Sequence, residues 1–225
     1  MKIKITPEIF QKNPDFKIVG LKINGFTERD FDTFNVLEAC NQIAINETIA
    51  TNAISAWKSF HKENGSNKKA RTSIEYLYKK ITTGGLPVIN GVVDLYNFVS
   101  IKHLVPLGGE DVDKIGEALI LKYALGHEQF TPLLSTKNEL PDKGEMIWST
   151  ANDHVVCRSL NWIESDNFKI DATSKAVVFI SEVPSSTFID AESCMLDLID
   201  LVKHYSPNCT CDLISLNQSI AEVDV

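Results

Sequence analysis

The sequence predicts an α+β fold, with a mixed sheet flanked by helices in a single domain over residues 1–225. Helical apolar spacing fills most of residues 28–101, strand-like apolar runs fill most of 119–180, and an amphipathic helix follows. Helices and strands therefore come in blocks rather than in regular βαβ alternation. The chain is 44% apolar and 23% charged, the balance of a globular protein that can bury a core.

The first half of the chain carries one strand pattern followed by helical ones. Residues 18–23 predict a strand, and the helical spacing that follows predicts one long helix or two consecutive helices over about 28–60. A capping box starts a short basic helix over 72–82. Asn90 is the predicted N-cap of a core helix that runs to about residue 101.

The second half carries most of the strand patterns. Apolar runs between Gly, Pro and Asp turns predict strands at 119–124, 146–148, 154–157 and 176–180. An amphipathic helix over about 188–205 and a strand over 210–216 follow. The last residues, 219–225, are expected to fray.

The charge of the chain is unevenly distributed. The net charge is −8, yet the window from Lys58 to Lys80 carries +5 and the remainder −13. The overall charge argues against a protein that coats nucleic acid or anionic membranes with its whole surface. The basic window is either a solvated helix face with a charged loop or a local site for a polyanion.

Hydropathy and cysteine usage predict a reduced, cytoplasmic protein without a membrane span. No apolar run reaches the roughly 18 residues that cross a bilayer, and the N-terminus has no apolar signal segment. Five scattered cysteines, an odd number, give no disulfide framework. His204, Cys209 and Cys211 lack a fourth metal ligand. We therefore expect no metal.

Polar side chains follow one face of the predicted core helix that begins at Asn90. On a helical projection Asn90, Asp94 and Asn97 lie on the same side, opposite apolar residues. An outward face usually carries Lys or Glu, whereas short Asn and Asp side chains are typical of groups held by hydrogen bonds. These residues either brace neighbouring loops or surround a pocket.

Several familiar catalytic motifs are absent from the sequence. It has no Gly-rich phosphate loop ending in Lys-Ser/Thr, no strand-linked G-x-G-x-x-G and no G-x-S-x-G. ATP-driven and hydride-transfer chemistry are therefore not expected, and neither is a cofactor.

An ordered series of motifs between about Trp57 and Pro184 resembles the B3/4 domain, the aminoacyl-tRNA editing module of the phenylalanyl-tRNA synthetase beta subunit, here in a free-standing form. The motifs are Leu86-Pro87-Val88-Ile89-Asn90, Val93-Asp94-x-x-Asn97, Pro106-Leu107-Gly108-Gly109-x-Asp111, Pro141-x-x-Gly144-Glu145 and Cys157-Arg158-x-x-Asn161-Trp162. The resemblance implies a three-layer α/β arrangement. It also implies hydrolysis of the ester that links a wrong amino acid to tRNA.

The resemblance implies three catalytic residues. Asn97 lies in the matched Val-Asp-x-x-Asn segment, Thr173 matches a threonine that lines the editing pocket, and Glu164 falls near an acidic pocket residue. One match fails, because Gly108 stands where the synthetase has a pocket histidine. The amino acid that is removed therefore stays open.

The chemistry of these residues is compatible with ester hydrolysis. An aminoacyl ester is already activated, so cleavage needs an oriented water and donors for the developing oxyanion. Glycine lets backbone amides approach an ester closely. Asp94 would grip an amino group or brace the helix start, and Arg158 would pair with a phosphate or an internal carboxylate. The predicted substrate-binding residues are Asn90, Asp94, Gly108, Gly109 and Arg158.

The basic window supplies candidate contacts to the aminoacylated acceptor end of tRNA, namely Lys68, Lys69, Arg71 and Lys79. The leading interpretation is a trans-editing hydrolase rather than a complete synthetase, because no ATP-using motif is present. Two alternatives stay open. One is a non-catalytic RNA- or amino-acid-binding module that kept the fold. The other is a protein-interaction domain, which would show an exposed apolar patch near the pocket.

Overall fold

The computed structural model describes residues 1–64, 71–184 and 190–225. The described strands are β1 (Lys2–Ile5), β2 (Lys17–Asn24), β3 (Gly108–Asp111), β4 (Ala118–Tyr123), β5 (Met146–Thr150), β6 (Val155–Arg158), β7 (Ile163–Glu164), β8 (Ala176–Val183), β9 (Thr210–Leu216) and β10 (Glu222–Asp224). The described helices are α1 (Pro7–Lys12), α2 (Val36–Asn41), α3 (Glu47–Glu63), α4 (Ser73–Thr83), α5 (Gly91–His103), α6 (Val112–Ile115) and α7 (Ala191–Tyr205), with a 3₁₀ turn at Glu28–Phe31. The α+β class is confirmed.

The strands form two sheets. One has the order β10-β1-β4-β5-β6-β7, and it is mixed because β1 and β4 run parallel while its other pairs are antiparallel. The other has the order β3-β8-β2-β9 and is antiparallel throughout. Every residue of β8 is buried, which explains its continuous apolar run.

The expectation that residues 219–225 fray is wrong. Strand β10 pairs with β1, and the Val225 N–H donates to the Met1 carbonyl over 2.8 Å. Strand β1 pairs with β4 on one edge and with β10 on the other, and this pairing holds both ends of the chain in the sheet. Strand β1 and the short helix α1 were not predicted from the sequence.

The helical segment predicted over 28–60 is divided into three pieces, the 3₁₀ turn, α2 and α3. Asparagine caps mark the divisions. The Asn35 side chain accepts from the Glu38 N–H over 3.2 Å and the Asn46 side chain from the Ile49 N–H over 3.1 Å. Each cap satisfies an amide at a new helix start, so the chain turns between helices although its apolar spacing continues.

The other predicted elements are confirmed within one to three residues at most ends, where they lie in the described chain. Helix α5 begins directly after Asn90, as predicted. Part of the predicted 188–205 helix lies outside the described residues, and the described part forms α7. In the described ranges, no helix is both long and apolar enough to cross a membrane.

Candidate functional site

A cavity of about 320 Å³ opens where helices α4 and α5 meet strand β3 and the segment around β7. We call it the α4–α5 cavity. Its wall is mostly apolar, and its polar lining includes Asn97, Glu164, Asn161 and Lys169. A cavity of this size suits a small molecule held by apolar contacts and a few polar groups.

Two capped helices set the walls of the α4–α5 cavity. The Thr72 side chain accepts from the Glu75 N–H over 3.2 Å and so starts α4, which places Tyr76 at the cavity. The Asn90 side chain accepts from the Val93 N–H over 2.9 Å and starts α5, which contributes Asn97. Capping residues in the sequence thus fix where the cavity-lining turns begin.

The structure brings Asn97, Gly108, Gly109 and Glu164 to the same cavity. The Asn97 amide makes no hydrogen bond with any other residue that the structure describes, so its donor and acceptor are available to a ligand. A Cβ on Gly109 would lie 2.9 Å from the Phe179 ring, which is too close for any larger residue without repacking.

The backbone of β3 also offers a donor at this cavity. The Asp111 N–H donates to the Phe168 carbonyl over 3.0 Å and therefore leaves β3 on the side away from β8. Because N–H groups two residues apart in a strand point the same way, the Gly109 N–H leaves β3 on that side as well. Strand β3 is an edge strand among the described strands, so within the described residues this N–H has no neighbouring strand to bond.

Glu164 is half-buried and belongs to a group of acidic residues that includes the buried Glu110. Burial raises the pKa of Glu164 to about 7, and burial together with the nearby Glu164 charge raises the pKa of Glu110 well above its usual range. One carboxyl oxygen of each residue, Glu164 Oε1 and Glu110 Oε2, is buried, and the two carboxyl groups interact with each other through a hydrogen bond. Cys157 pairs with Glu164 across strands β6 and β7.

A third carboxylate of this group, Glu182, is satisfied by hydrogen bonds. The Trp148 indole N–H donates to one of its oxygens over 2.6 Å, and the Asn161 amide donates to the other over 2.8 Å. Burial raises the pKa of Glu182 to about 7, against the lowering effect of these donors. The signal for this group in the sequence is a glutamate inside the apolar run of β8, and it was not among the predicted site residues.

Asn90 and Asp94 hold the start of α5. Neither belongs to the residues that line the α4–α5 cavity. Asp94 is buried, its carboxylate accepts from the Ile89 N–H over 3.0 Å, and burial raises its pKa. Of the two roles considered for Asp94, the structure shows the bracing contact.

Thr173 and Arg158 lie outside the lining of the α4–α5 cavity. Thr173 is exposed in a turn, where its hydroxyl donates to Asp171 over 2.6 Å. Arg158 is buried, and its guanidinium donates to the Glu145 carboxylate over 2.8 Å. Arg158 thus makes the internal ion pair that was the alternative to a phosphate contact.

The predicted tRNA contacts divide into two groups. Arg71 and Lys79 are exposed beside and on α4, the helix that also lines the cavity. Lys68 and Lys69 lie outside the described residues. Lys58 forms an ion pair with Glu75 at 2.8 Å, so these two residues of the window neutralise each other.

Exposed apolar side chains stand at the mouth of the α4–α5 cavity. Ile89 is 58% exposed and Leu133 is 45% exposed, and both line the cavity. Their chain neighbours Val88 and Leu134 are 70% and 90% exposed. The rim is therefore apolar although the interior carries polar groups, a feature that the interaction-domain alternative also expects.

Comparisons with known proteins show which proteins the chain is similar to. Residues 56–205 match the family profile described as the B3/4 domain. The phenylalanine–tRNA ligase beta subunit of Fusobacterium nucleatum subsp. nucleatum is 29% identical over 111 residues, which are 49% of this chain and 14% of that protein. A crystal structure of an N-terminal fragment of the phenylalanyl-tRNA synthetase beta subunit from Pyrococcus horikoshii aligns with a TM-score of 0.48 at 11% identity, over 96% of this chain and 54% of that one.

Proposed function

Because the chain belongs to the B3/4 domain family, we propose that it is a trans-editing hydrolase that releases a wrong amino acid from tRNA. The observation that carries the proposal is the α4–α5 cavity, in which an apolar wall meets Asn97, Glu164 and the β3 glycines. The chain spans 14% of the synthetase subunit that it resembles in sequence, so the activity is proposed for this chain alone.

The cavity is suited to an amino acid esterified to a larger molecule. Its volume of about 320 Å³ accommodates one amino-acid side chain, and the attached nucleotide would lie outside its mouth. Tyr76 and Trp162 line the cavity with ring centroids 6.3 Å apart, and they offer faces on which an apolar side chain or a base can pack.

Three polar groups of the cavity have a role in the proposed hydrolysis. The Asn97 amide orients the attacking water, Glu164 accepts a hydrogen bond from that water, and the Gly109 N–H donates to the oxyanion. Water adds to the ester carbonyl carbon while one of its protons passes to Glu164. The bond to the terminal ribose oxygen then breaks, and that oxygen takes the proton from Glu164 and leaves as a hydroxyl. The products are free amino acid and uncharged tRNA.

Replacing Asn97 with Ala is expected to lower deacylation of the preferred mischarged tRNA about a hundredfold, because the water loses an orienting partner. The measurement is release of free amino acid from a panel of correctly and incorrectly charged tRNAs. Asn52→Ala is a matched control, since Asn52 is an exposed asparagine on helix α3 and does not line this cavity.

The panel can also contradict the proposal. No release from any charged tRNA by the folded protein, with binding of charged tRNA retained, would favour the non-catalytic binding module. The absence of a histidine from the described lining of the cavity is the observation that favours this second candidate. Equal activity of Asn97→Ala and the wild type would remove Asn97 from the mechanism.

The exposed cations Arg71 and Lys79, beside and on helix α4, are proposed to hold the acceptor end. Charge reversal at Arg71 and Lys79 is expected to weaken tRNA binding and to reduce the dependence of log Kd on log salt by about one for each lost phosphate contact. Filter binding over a salt series measures both quantities. Lys143→Glu is the control, because Lys143 is an exposed cation on the loop before β5. An equally large loss of tRNA binding in this variant would indicate a nonspecific charge effect.

A further inference from the structure

A smaller cavity adjoins the α4–α5 cavity, and Gly108 and Asn161 line both. Its volume is about 10 Å³, enough for one water-sized occupant. Glu110 and Cys157 also line it. Glu110, Cys157 and Glu164 each offer one atom to a cluster in which these atoms all lie within 4.8 Å of one another.

We propose that Glu110, Cys157 and Glu164 form a binding site for one divalent transition-metal ion of the Zn²⁺ type. The site does not depend on the proposed hydrolase activity, because it rests on the placement of the ligand atoms and on their surroundings. From the sequence we expected no metal, and the ligands considered there were His204, Cys209 and Cys211. The proposed site uses other residues.

The surroundings of the cluster lack a cationic partner. Within the three described stretches of chain, no Lys or Arg forms an ion pair with Glu110 or Glu164. The nearby Arg158 is occupied by Glu145. Two neighbouring carboxylates, of which Glu110 is buried and Glu164 half-buried, are costly unless a proton or a cation compensates their charge.

Asn161 supplies an independent observation. This residue is 8% exposed, and its amide nitrogen is fixed by the bond to Glu182. Its carbonyl oxygen has no hydrogen-bond partner among the described residues, although Asn161 lines the same small cavity as Glu110 and Cys157. A buried oxygen without a donor fits a fourth ligand or a contact to a metal-bound water.

The ligand types select the class of metal. A cysteine sulfur disfavours Mg²⁺ and Ca²⁺, which take oxygen ligands, whereas Zn²⁺ binds sulfur and carboxylate together. On binding, the metal–sulfur bond replaces the S–H bond of Cys157, and the thiol proton and any carboxyl proton pass to solvent. Since Glu164 also lines the α4–α5 cavity, the ion can enter from there, and three ligands leave a coordination position open.

The test measures metal binding without any substrate. Chelator-treated protein is titrated with Zn²⁺ and passed through a desalting column, and the metal content is determined by mass spectrometry. We expect about one Zn²⁺ per chain. We expect at least tenfold weaker binding in Glu110→Gln and in Cys157→Ser. Cys194→Ser is the matched control, because Cys194 is fully buried in α7 and belongs to a different part of the core.

Co²⁺ gives a second measurement, and its first result comes from the wild type alone. We expect thiolate-to-cobalt charge-transfer absorption in the wild type, and its absence at saturating Co²⁺ would overturn the proposal. Cys209 and Cys211, whose sulfurs lie 3.8 Å apart, are the competing thiols. Loss of the band in Cys211→Ser rather than in Cys157→Ser would place the metal there and refute the Glu110 site.

Discussion

Replacing Glu145 with Gln is expected to lower the free energy of unfolding by about 3–5 kcal/mol, because it leaves the buried Arg158 cation without its carboxylate. Two guanidinium nitrogens of Arg158 donate to one Glu145 oxygen over 3.1 and 2.8 Å. The other oxygen accepts from both the N–H and the hydroxyl of Ser159 over 2.9 Å. Urea denaturation followed by circular dichroism measures the loss.

Glu139 provides the matched control for this prediction. Its carboxylate lies 3.8 Å from the Arg158 guanidinium, but its side chain is 56% exposed. Glu139→Gln is therefore expected to cost less than about 1 kcal/mol. The double variant Glu145→Met, Arg158→Met is expected to recover part of the stability, because no buried charge is left alone. Equal costs for Glu145→Gln and Glu139→Gln would contradict this account.

The Glu145 carboxylate also bears on the candidate site. Ser159 and Leu160 have φ values of 50° and 63°, a left-handed conformation that costs energy in residues other than glycine. The hydrogen bonds from Ser159 to Glu145 hold this turn. The turn leads directly to Asn161 and Glu164, so Glu145→Gln is also expected to disturb the cavity wall.

Local patterns in the sequence located most elements, because caps and apolar spacing act over a few neighbouring residues. Asn90 and the α5 helix are an example, since the capping bond joins residues three apart. Strands β1 and β10 could not be found in this way. Each is short, and they are stabilised by pairing with each other from opposite ends of the chain.

The candidate site was only partly predictable for the same reason. Asn97, Gly108 and Glu164 were identified from the family resemblance, and the structure brings them to one cavity. Glu110 and Cys157 are 47 positions apart, and only the folded arrangement of β3, β6 and β7 places them side by side. No spacing rule connects residues that meet across separate sheets.

Replacing Trp57 with Ala is expected to cost about 3–5 kcal/mol of unfolding free energy, since it empties a large volume in the core. Trp57 is 1% exposed and lies on the buried stripe of α3 with Ala50, Ala53 and Phe60. These positions repeat at helical spacing, so one face of α3 makes the contact. Denaturation followed by far-ultraviolet circular dichroism avoids dependence on the removed indole.

Two variants separate the volume of Trp57 from its polarity. The Trp57 indole N–H is buried and has no hydrogen-bond partner among the described residues, so Trp57→Phe loses ring volume but no hydrogen bond. We expect it to cost less than about 1.5 kcal/mol. Ile49→Ala, on the same helix at 60% exposure, is expected to change stability by less than about 0.5 kcal/mol. In this account the buried face anchors α3. If Trp57→Ala lowered the free energy of unfolding as little as Ile49→Ala does, α3 would instead be held by its capped end.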